Sequence, residues 1–549
     1  MNLLPFRKVI RMRLRVNQIV VKLEYTPDDV LHAIARKLGA LEQNLSEIEV
    51  LRRSLDARHK DRLPHYVLSA EVTYSGDTPP TLAPGQVGIA PPPESVPKPR
   101  SAKPRAVRPF VVGAGPAGLM AALTLAEAGQ RPVLIERGAE IETRKLQVET
   151  FWRQGLLNPE SNVLYGEGGA GLFSDGKLTA RTKNRPAVRR FFEVLVEHGA
   201  PSDILIDAEP HIGSDVLSQI MPALRDRITE LGGEVRFHAR LEDVLIEDGA
   251  LRGVKISGED VRTDRCFLAT GHSARDVYRM LAERNIAMAV KPFAVGVRME
   301  LPQARIDRSQ YGRWASHPSL GSASFRLSRK GGGHVRSCYS FCMCPGGLVM
   351  ACASSEGMLT TNGMSYSGRS KPLGNAAIVV PVGPDDFPEV AGNPALAGIA
   401  YQERLERAAF IAGGSDFTLP AQRLTDFLDA AHATPPPAER SCSRVVAADL
   451  NALLPDVVAQ TLRSALPKML RELSNAKLEE ILLYGLETRS SSPVRILRDP
   501  ETLESASVRG LSPIGEGSGH AGGIVSSAID GMVAATHAIA PASQAMRHA

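Results

Sequence analysis

"FVVGAGPAGLM", residues 110–120, decides the fold. Three apolar residues run into Gly113-Ala114-Gly115-Pro116-Ala117-Gly118, and an alanine-rich helical pattern follows that Gly129 closes. Each glycine has its own task. Gly113 permits the tight strand-to-helix turn, Gly115 lets a pyrophosphate approach the backbone, and Gly118 packs helix on strand. The helix amino end then offers phosphate free N–H groups and the positive end of its dipole. "RPVLIERG", residues 131–138, reads as the next strand and carries Glu136, placed where an acid hydrogen-bonds a ribose. Strand, glycine turn, helix, strand and acid together predict a dinucleotide-binding unit of an α/β, Rossmann-like domain. A glutamate rather than an arginine in the ribose position argues against a 2′-phosphate, which leaves FAD or NAD.

The tail chooses between them. "LSPIGEGSGHAGGIVSSAIDGMVAA", residues 511–535, reads as a strand, a glycine-rich turn with Gly515 and Glu516, and a helix that begins near Gly522-Gly523-Ile524. In flavoproteins of this architecture a carboxylate at such a strand end holds the ribityl hydroxyls. The following helix aims its amino end at the flavin N1 and C2 carbonyl, where negative charge gathers on reduction. FAD is therefore the expected cofactor, assembled from an early segment and the far end of the chain.

Other candidates fall between these two ends. "GEGGAGLFSDGKL", residues 166–178, is dense in glycine, the residue whose ordering costs most. Gly168 and Gly169 are expected to give backbone contacts along the isoalloxazine ring, with Ser174 and Lys177 near its polar edge; a surface loop is the plain alternative. Arg144 is expected to reach the pyrophosphate. Gly271, after Thr270 at the end of a strand read at 261–269, is expected to let the backbone pass close to the dinucleotide. His272 has two readings, a proton donor titrating near neutral pH or a structural neighbour of Ser273, which caps the next helix. Arg489 and Arg495 in "ETRSSSPVR", residues 487–495, suit a substrate carboxylate held by paired hydrogen bonds or, equally, surface salt bridges.

The length of 549 residues calls for two or three domains. Strand-like and helical runs before residue 77 predict a small ferredoxin-like α+β domain at 1–77. Residues 78–105, with nine prolines and no aromatic, predict a linker. The FAD-binding domain is expected at 106–290 and 500–549, and an inserted α+β cap or substrate domain at 291–499. A net charge of +5 spread over this length is weak for a nucleic-acid or membrane partner. No apolar run is long enough to span a bilayer and the arginine-rich start lacks a signal peptide's apolar core, so a cytoplasmic protein is expected. Translation from Met1 or from Met12 is left open, as is the oligomeric state.

Six cysteines suit a reducing compartment. Cys338, Cys342, Cys344 and Cys352 have neither a C-x-x-C nor a ferredoxin spacing, so no metal is expected. An alternating strand that buries small sulfur side chains is the simplest account of "YSFCMC", residues 339–344. Only one dinucleotide fingerprint is present: "KGGGHV", residues 330–335, has no helix start and no ribose acid. Any NAD(P)H would have to enter transiently over the flavin.

The fingerprint, "GEGGAGLFSDGKL", "FLATGHSARD", "YSFCMCPGG", "ETRSSSPVRI", "GEGSGHAGGIVSSAIDG" and the N-terminal "VLRRSLDARHK" resemble the bacterial FAD-dependent dehydrogenase family, often labelled NAD(FAD)-utilising dehydrogenases. The resemblance covers nearly the whole chain and implies FAD and this architecture more than it implies a substrate. The function expected is an FAD-dependent oxidoreductase that passes a hydride or electron pair through flavin N5 to or from a small molecule. Its alternative is an FAD-containing RNA- or protein-binding module with the N-terminal domain as recognition element, although that domain lacks the aromatics of an RNA-stacking sheet. The residues expected to act in the chemistry are His272, Lys177 and Arg489.

Overall fold

The computed structural model describes residues 10–80, 82–92, 102–179, 182–332 and 335–539. The question of Met1, the prolines at 93–101 and the middle of "KGGGHV" fall outside these residues.

The N-terminal unit is built from β1 (Ile10–Val21), α1 (Pro27–Leu38), β2 (Leu45–Asp56), β3 (His65–Gly76) and β4 (Val87–Ile89). Helix α1 starts at a capping box, in which Thr26 accepts from the Asp29 amide while Asp29 accepts from the Thr26 amide, and it stops at left-handed Gly39. The antiparallel sheet order is β2-β3-β1-β4. Strand β4 lies inside the stretch expected to be linker: Leu14, Arg15 and Val16 pair with Ile89, Gly88 and Val87, and Val87 is buried. A proline-rich segment can still supply a short edge strand, since an edge leaves one row of N–H groups without a ladder to fill. The unit rests on the rest of the chain through Arg53, whose side chain reaches Asp203 and Asp207, both at 2.7 Å.

The central layer is a five-stranded parallel sheet. β5 (Phe110–Val112) runs into α2 (Pro116–Glu127), followed by β6 (Val133–Ile135), α3 (Ile141–Gln154) and, further on, β7 (Glu234–Arg236). On the other side of β5 lie Cys266–Leu268 and then Leu511–Pro513, so the first and last thirds of the chain share one sheet. Every residue of β5, β6, Cys266–Leu268 and Leu511–Pro513 is buried, as expected for parallel strands covered on both faces. The terminal helix Ile524–Ile539 packs on α2 so closely that a Cβ on Gly531 would sit 2.1 Å from the Ala117 carbonyl. The strand expected at 261–269 is two strands. Glu259–Arg262 belongs to a separate three-stranded sheet, and Thr263 turns the chain by accepting from the Arg265 amide and donating to carbonyls of Arg108 and Arg265.

Residues between these halves build a seven-stranded sheet around Phe293–Pro302, which is flanked by Leu373–Val382 and Leu482–Glu487. Among the described residues, no helix is long and apolar enough to cross a membrane.

Candidate flavin site

The glycine fingerprint folds as its residue types require. Gly113 has φ +104° and a Cβ there would stand 2.5 Å from the Ala269 carbonyl oxygen. At Gly118 the added Cβ would lie 1.8 Å from the Gly113 carbonyl oxygen, so α2 can approach β5 only with glycine. Gly115, the residue before α2, faces open space apart from Gly169 Cα at 3.7 Å. Helix α2 therefore presents its amino end to a cavity of about 570 Å³.

One wall of that cavity is Gly113, Gly115, Pro116, Ala117, Glu136, Gly169, Ser174, Gly271, Gly515, Glu516, Gly522, Gly523 and Ile524, together with His272. The opposite wall comes from the middle of the chain: Phe341, Cys342, Cys352, Thr360, Thr361, Asn362, Glu487 and Arg489, with Lys177 at the rim between them. Three expected contacts lie elsewhere. Gly118 and Arg144 sit behind the wall, and Gly168 faces Met221 and Leu172.

Glu136 is almost fully buried and is committed to backbone: its carboxylate accepts from the amides of Ala114 (2.8 Å), Gly138 (2.9 Å) and Gly166 (3.0 Å). It pins the fingerprint turn, the end of β6 and the glycine loop to one another while still lining the cavity.

Arg144 does not reach for phosphate. Wholly buried on α3, it donates to the carbonyls of Asn162, Val163, Gly166, Glu167 and Gly169 and stacks on Phe173 with its guanidinium carbon 5.0 Å from the ring centre. Burial pushes it down to about 9 against the pull of Glu136 and Glu167. This explains the glycine at 166, where a Cβ would lie 2.4 Å from Arg144 Cδ, and that at 138, where one would lie 2.6 Å from Gly166 Cα, whereas Gly169 and Gly171 meet Gly115 Cα and Ile524 Cγ1, both at 3.0 Å. The loop is wrapped around one arginine, a task that no local pattern announces. Ser174 closes it by donating to Gly171 O at 2.7 Å and accepting from the Gly176 amide at 3.0 Å.

Glu516 and His272 meet at the far end. His272 Nδ1 stands 3.4 Å from Glu516 Oε1 without making a hydrogen bond. Burial raises the Glu516 carboxyl, but His272, the Gly523 amide and Lys291 together hold it below its ordinary value, so it is the anion there. The proposed cap by Ser273 is absent: Ala274 precedes the helix Arg275–Glu283 without a side-chain bond, and Ser273 O accepts from Tyr165 instead.

The opposite wall is polar but charge-compensated. Arg489 donates through Nε (2.9 Å) and Nη2 (2.8 Å) to Glu406 and through Nη1 (3.0 Å) to Ser354, so it is not a free carboxylate receptor. Glu406, fully buried, also receives both terminal nitrogens of Arg275. Burial works against its charge, yet Arg275 and Arg489 hold its carboxyl far below the usual range. Behind the wall Arg298 grips Glu487 through Nε at 2.9 Å and Asn375 at 2.8 Å. Lys177 donates to the Met343 carbonyl and lies 3.9 Å from Asp175, which Arg369 already engages. Glu406, Arg275 and Arg298 escape a sequence reading because each has other charges close by in sequence, Glu403, Arg404 and Arg407 around Glu406, Asp276 beside Arg275 and Glu300 near Arg298, and only the fold shows which of them is buried and paired.

These residues suit FAD. Gly271, Gly522 and Gly523 have no atom within 4 Å of an added Cβ, so backbone borders the cavity where a flat ring system needs close approach. Two helix amino ends, of α2 and of Ile524–Ile539, open onto it, and the half-buried carboxylate Glu516 lies beside the second.

The comparisons agree. A family described as "FAD binding domain" matches residues 110–164 and one described as "FAD-dependent protein, C-terminal domain-like" matches residues 292–490, while a domain of unknown function matches 13–73. An uncharacterized protein of Clostridium beijerinckii is 38% identical over 542 residues, covering 96% of this chain and 99% of that one. Thiamine thiazole synthase of Aeropyrum pernix is 30% identical over 198 residues, 33% of this chain and 60% of its own length. Among solved structures, the quinol fumarate reductase of E. coli aligns over 81% of this chain and 71% of that one, at 12% identity with a TM-score of 0.36, too low to carry an argument. The binding-module alternative is not favoured. With its two flavoprotein matches and its full-length relative, the chain belongs to the bacterial FAD-dependent dehydrogenase family and is an FAD-dependent oxidoreductase.

Proposed function

We propose that residues 291–499 act as a cap that presents small, polar, uncharged or zwitterionic molecules to the flavin, and that residues 106–290 with 500–549 hold FAD. The N-terminal unit is in this reading a ferredoxin-like domain that lacks its second helix, since its strand order is β2-β3-β1-β4. The observation that carries the substrate class is the compensation of charge on the cap wall. Each buried cation there already has its carboxylate, Arg489 with Glu406 and Arg298 with Glu487. A site so arranged offers hydrogen bonds rather than a free buried guanidinium, and burying an unpaired anion against it would be costly.

When bound, FAD supplies the electron-pair chemistry. The chain supplies placement. Gly113, Gly115, Pro116 and Ala117 receive the pyrophosphate at the start of α2, Gly118 letting that helix pack on β5, with Glu136 bracing the adenosine side. Glu516 takes the ribityl hydroxyls, and Gly522, Gly523 and Ile524 set a helix amino end against the pyrimidine edge, where it stabilises anionic charge. His272, held beside Glu516, keeps or yields a proton at that edge. Lys177 and the outer edge of Arg489 orient the substrate, while Phe341 excludes water. NAD(P)H, in this reading, enters only transiently.

An anaerobic screen of the yellow protein tests the proposal. Flavin bleaching is followed with NADH, NADPH, small amines, amino acids and simple carboxylates. Bleaching by uncharged or zwitterionic compounds is expected; bleaching by dicarboxylates alone would overturn the charge argument.

A further inference from the structure

The cysteines of "YSFCMC" do not alternate into a core. The strand Cys338–Cys344 follows its neighbour Leu373–Val382 regularly as far as Phe341 and then slips before Cys344. At the slip Cys342 is held at φ +45°, a left-handed conformation uncommon outside glycine and, where it persists, frequent at functional sites. In a regular strand two cysteines one residue apart stand roughly 6.6 Å apart at Cα, near the far limit for a disulfide. Here the regular strand is broken by the bulge, and the Cys344 thiol turns back to donate to the Cys342 carbonyl oxygen at 3.4 Å.

Location sets Cys342 apart from the other described cysteines, of which Cys352 lines the flavin cavity alone. Cys342 is half-buried and lines both the flavin cavity and a second, outer cavity of about 980 Å³. Lys177, Thr179, Phe341 and Gly522 are likewise shared by the two, so Cys342 stands in the passage between them. Two cations face it. Arg298 Nη1 approaches the Cys342 carbonyl at 3.3 Å and Cys344 Sγ at 3.9 Å, and Lys177 holds the intervening Met343 carbonyl. The Cys344 hydrogen bond first, then Arg298 and Lys177, lower the Cys342 thiol against the effect of burial, whereas Cys344 is raised. One thiol is thus suited to attack and its neighbour to resolve. Cys266, Cys338 and Cys352 are buried, and burial raises each of them.

We propose that Cys342 and Cys344 form a dithiol–disulfide couple that exchanges an electron pair with the flavin, with Cys342 the member open to small thiols or disulfides from the outer cavity. This rests on the FAD reading above. In the oxidising direction the two thiols lose their hydrogens and gain an S–S bond, and the two electrons and two protons convert FAD to its dihydro form. In the reverse direction the dihydroflavin returns them, the S–S bond breaks and both thiols reform. No further reactant enters the balance.

The holoprotein is oxidised with ferricyanide, which closes a dithiol without capping a lone thiol, desalted, and titrated anaerobically with dithionite while flavin absorbance is followed. Wild type should consume a second electron pair per flavin; Cys342→Ser and Cys344→Ser should consume one, and Cys442→Ser, outside both cavities, should match wild type. In parallel, the peptide spanning 338–352 should lose two hydrogens on oxidation and resist alkylation at both positions. One pair consumed by yellow wild type, or free alkylation of both thiols after oxidation, would overturn the couple, and the peptide result stands even if a serine variant fails to fold. Protein that stays colourless when FAD is added would instead strike the cofactor reading.

Discussion

Replacing Glu406 by Gln probes the join between the two walls of the site. The carboxylate receives Arg275 Nη1 and Nη2 at 3.0 and 2.8 Å, Arg489 Nε and Nη2 at 2.9 and 2.8 Å, and the Thr488 hydroxyl at 2.8 Å. Arg275 begins the helix that follows the parallel-sheet strand Cys266–Leu268, whereas Glu406 and Arg489 belong to the segment proposed as the cap. Glutamine keeps the volume but removes the charge and turns an NH₂ group toward guanidinium donors. Buried Arg489 is left without a counter-ion and buried Arg275 with only Glu403, 3.9 Å away, which costs about 3–5 kcal/mol. The urea midpoint of the transition that releases flavin should fall by on the order of 1 M. Glu403, paired at 2.5 Å with half-exposed Arg279, is the control, and Glu403→Gln should cost about 1 kcal/mol or less. The pH dependence has a defined sign. Because the folded Glu406 carboxyl lies below its ordinary 4.5, its stabilising effect is complete above pH 4.5 and is lost as pH falls through the folded value. The gap between wild type and Glu406→Gln should therefore narrow in acid. A variant that unfolds with wild type at neutral pH would refute the reasoning.

Three further outcomes are expected. Gly118→Ala forces a Cβ to 1.8 Å from the Gly113 carbonyl, so the turn must open at about 2 kcal/mol, and titration of the apoprotein should show FAD binding roughly 30-fold weaker; unchanged affinity would contradict it. Arg144→Met strands buried carbonyls of residues 162–169, each costing about 1–3 kcal/mol, so limited proteolysis should cut within 160–177 and flavin should be lost; a protease-resistant yellow variant would show that the loop holds itself. Removing residues 1–105 should leave a yellow, reducible protein, because no residue before Val112 lines the cavity among those described. A colourless truncation would assign the N-terminal unit a part in the site.

The sequence by itself determined the cofactor cradle. Gly113, Gly115, Gly118 and Glu136 are bound to one another by local constraints of turn, approach and strand length, and such constraints leave a mark in neighbouring residues. The tail was legible for the same reason: Glu516, Gly522 and Gly523 form a compact strand–turn–helix signature. Tertiary structure decided whatever depends on partners far apart in the chain. Arg144 reads as a pyrophosphate contact until the loop at 162–169 closes around it. Arg489 reads as a substrate anchor until Glu406, 83 positions away, neutralises it. "YSFCMC" reads as a buried strand until its pairing with Leu373–Val382 slips at Cys342 and turns a thiol toward the cavity. Backbone geometry is written locally, whereas the pairing of charges and the register of a sheet are settled only when distant segments compete for the same buried space.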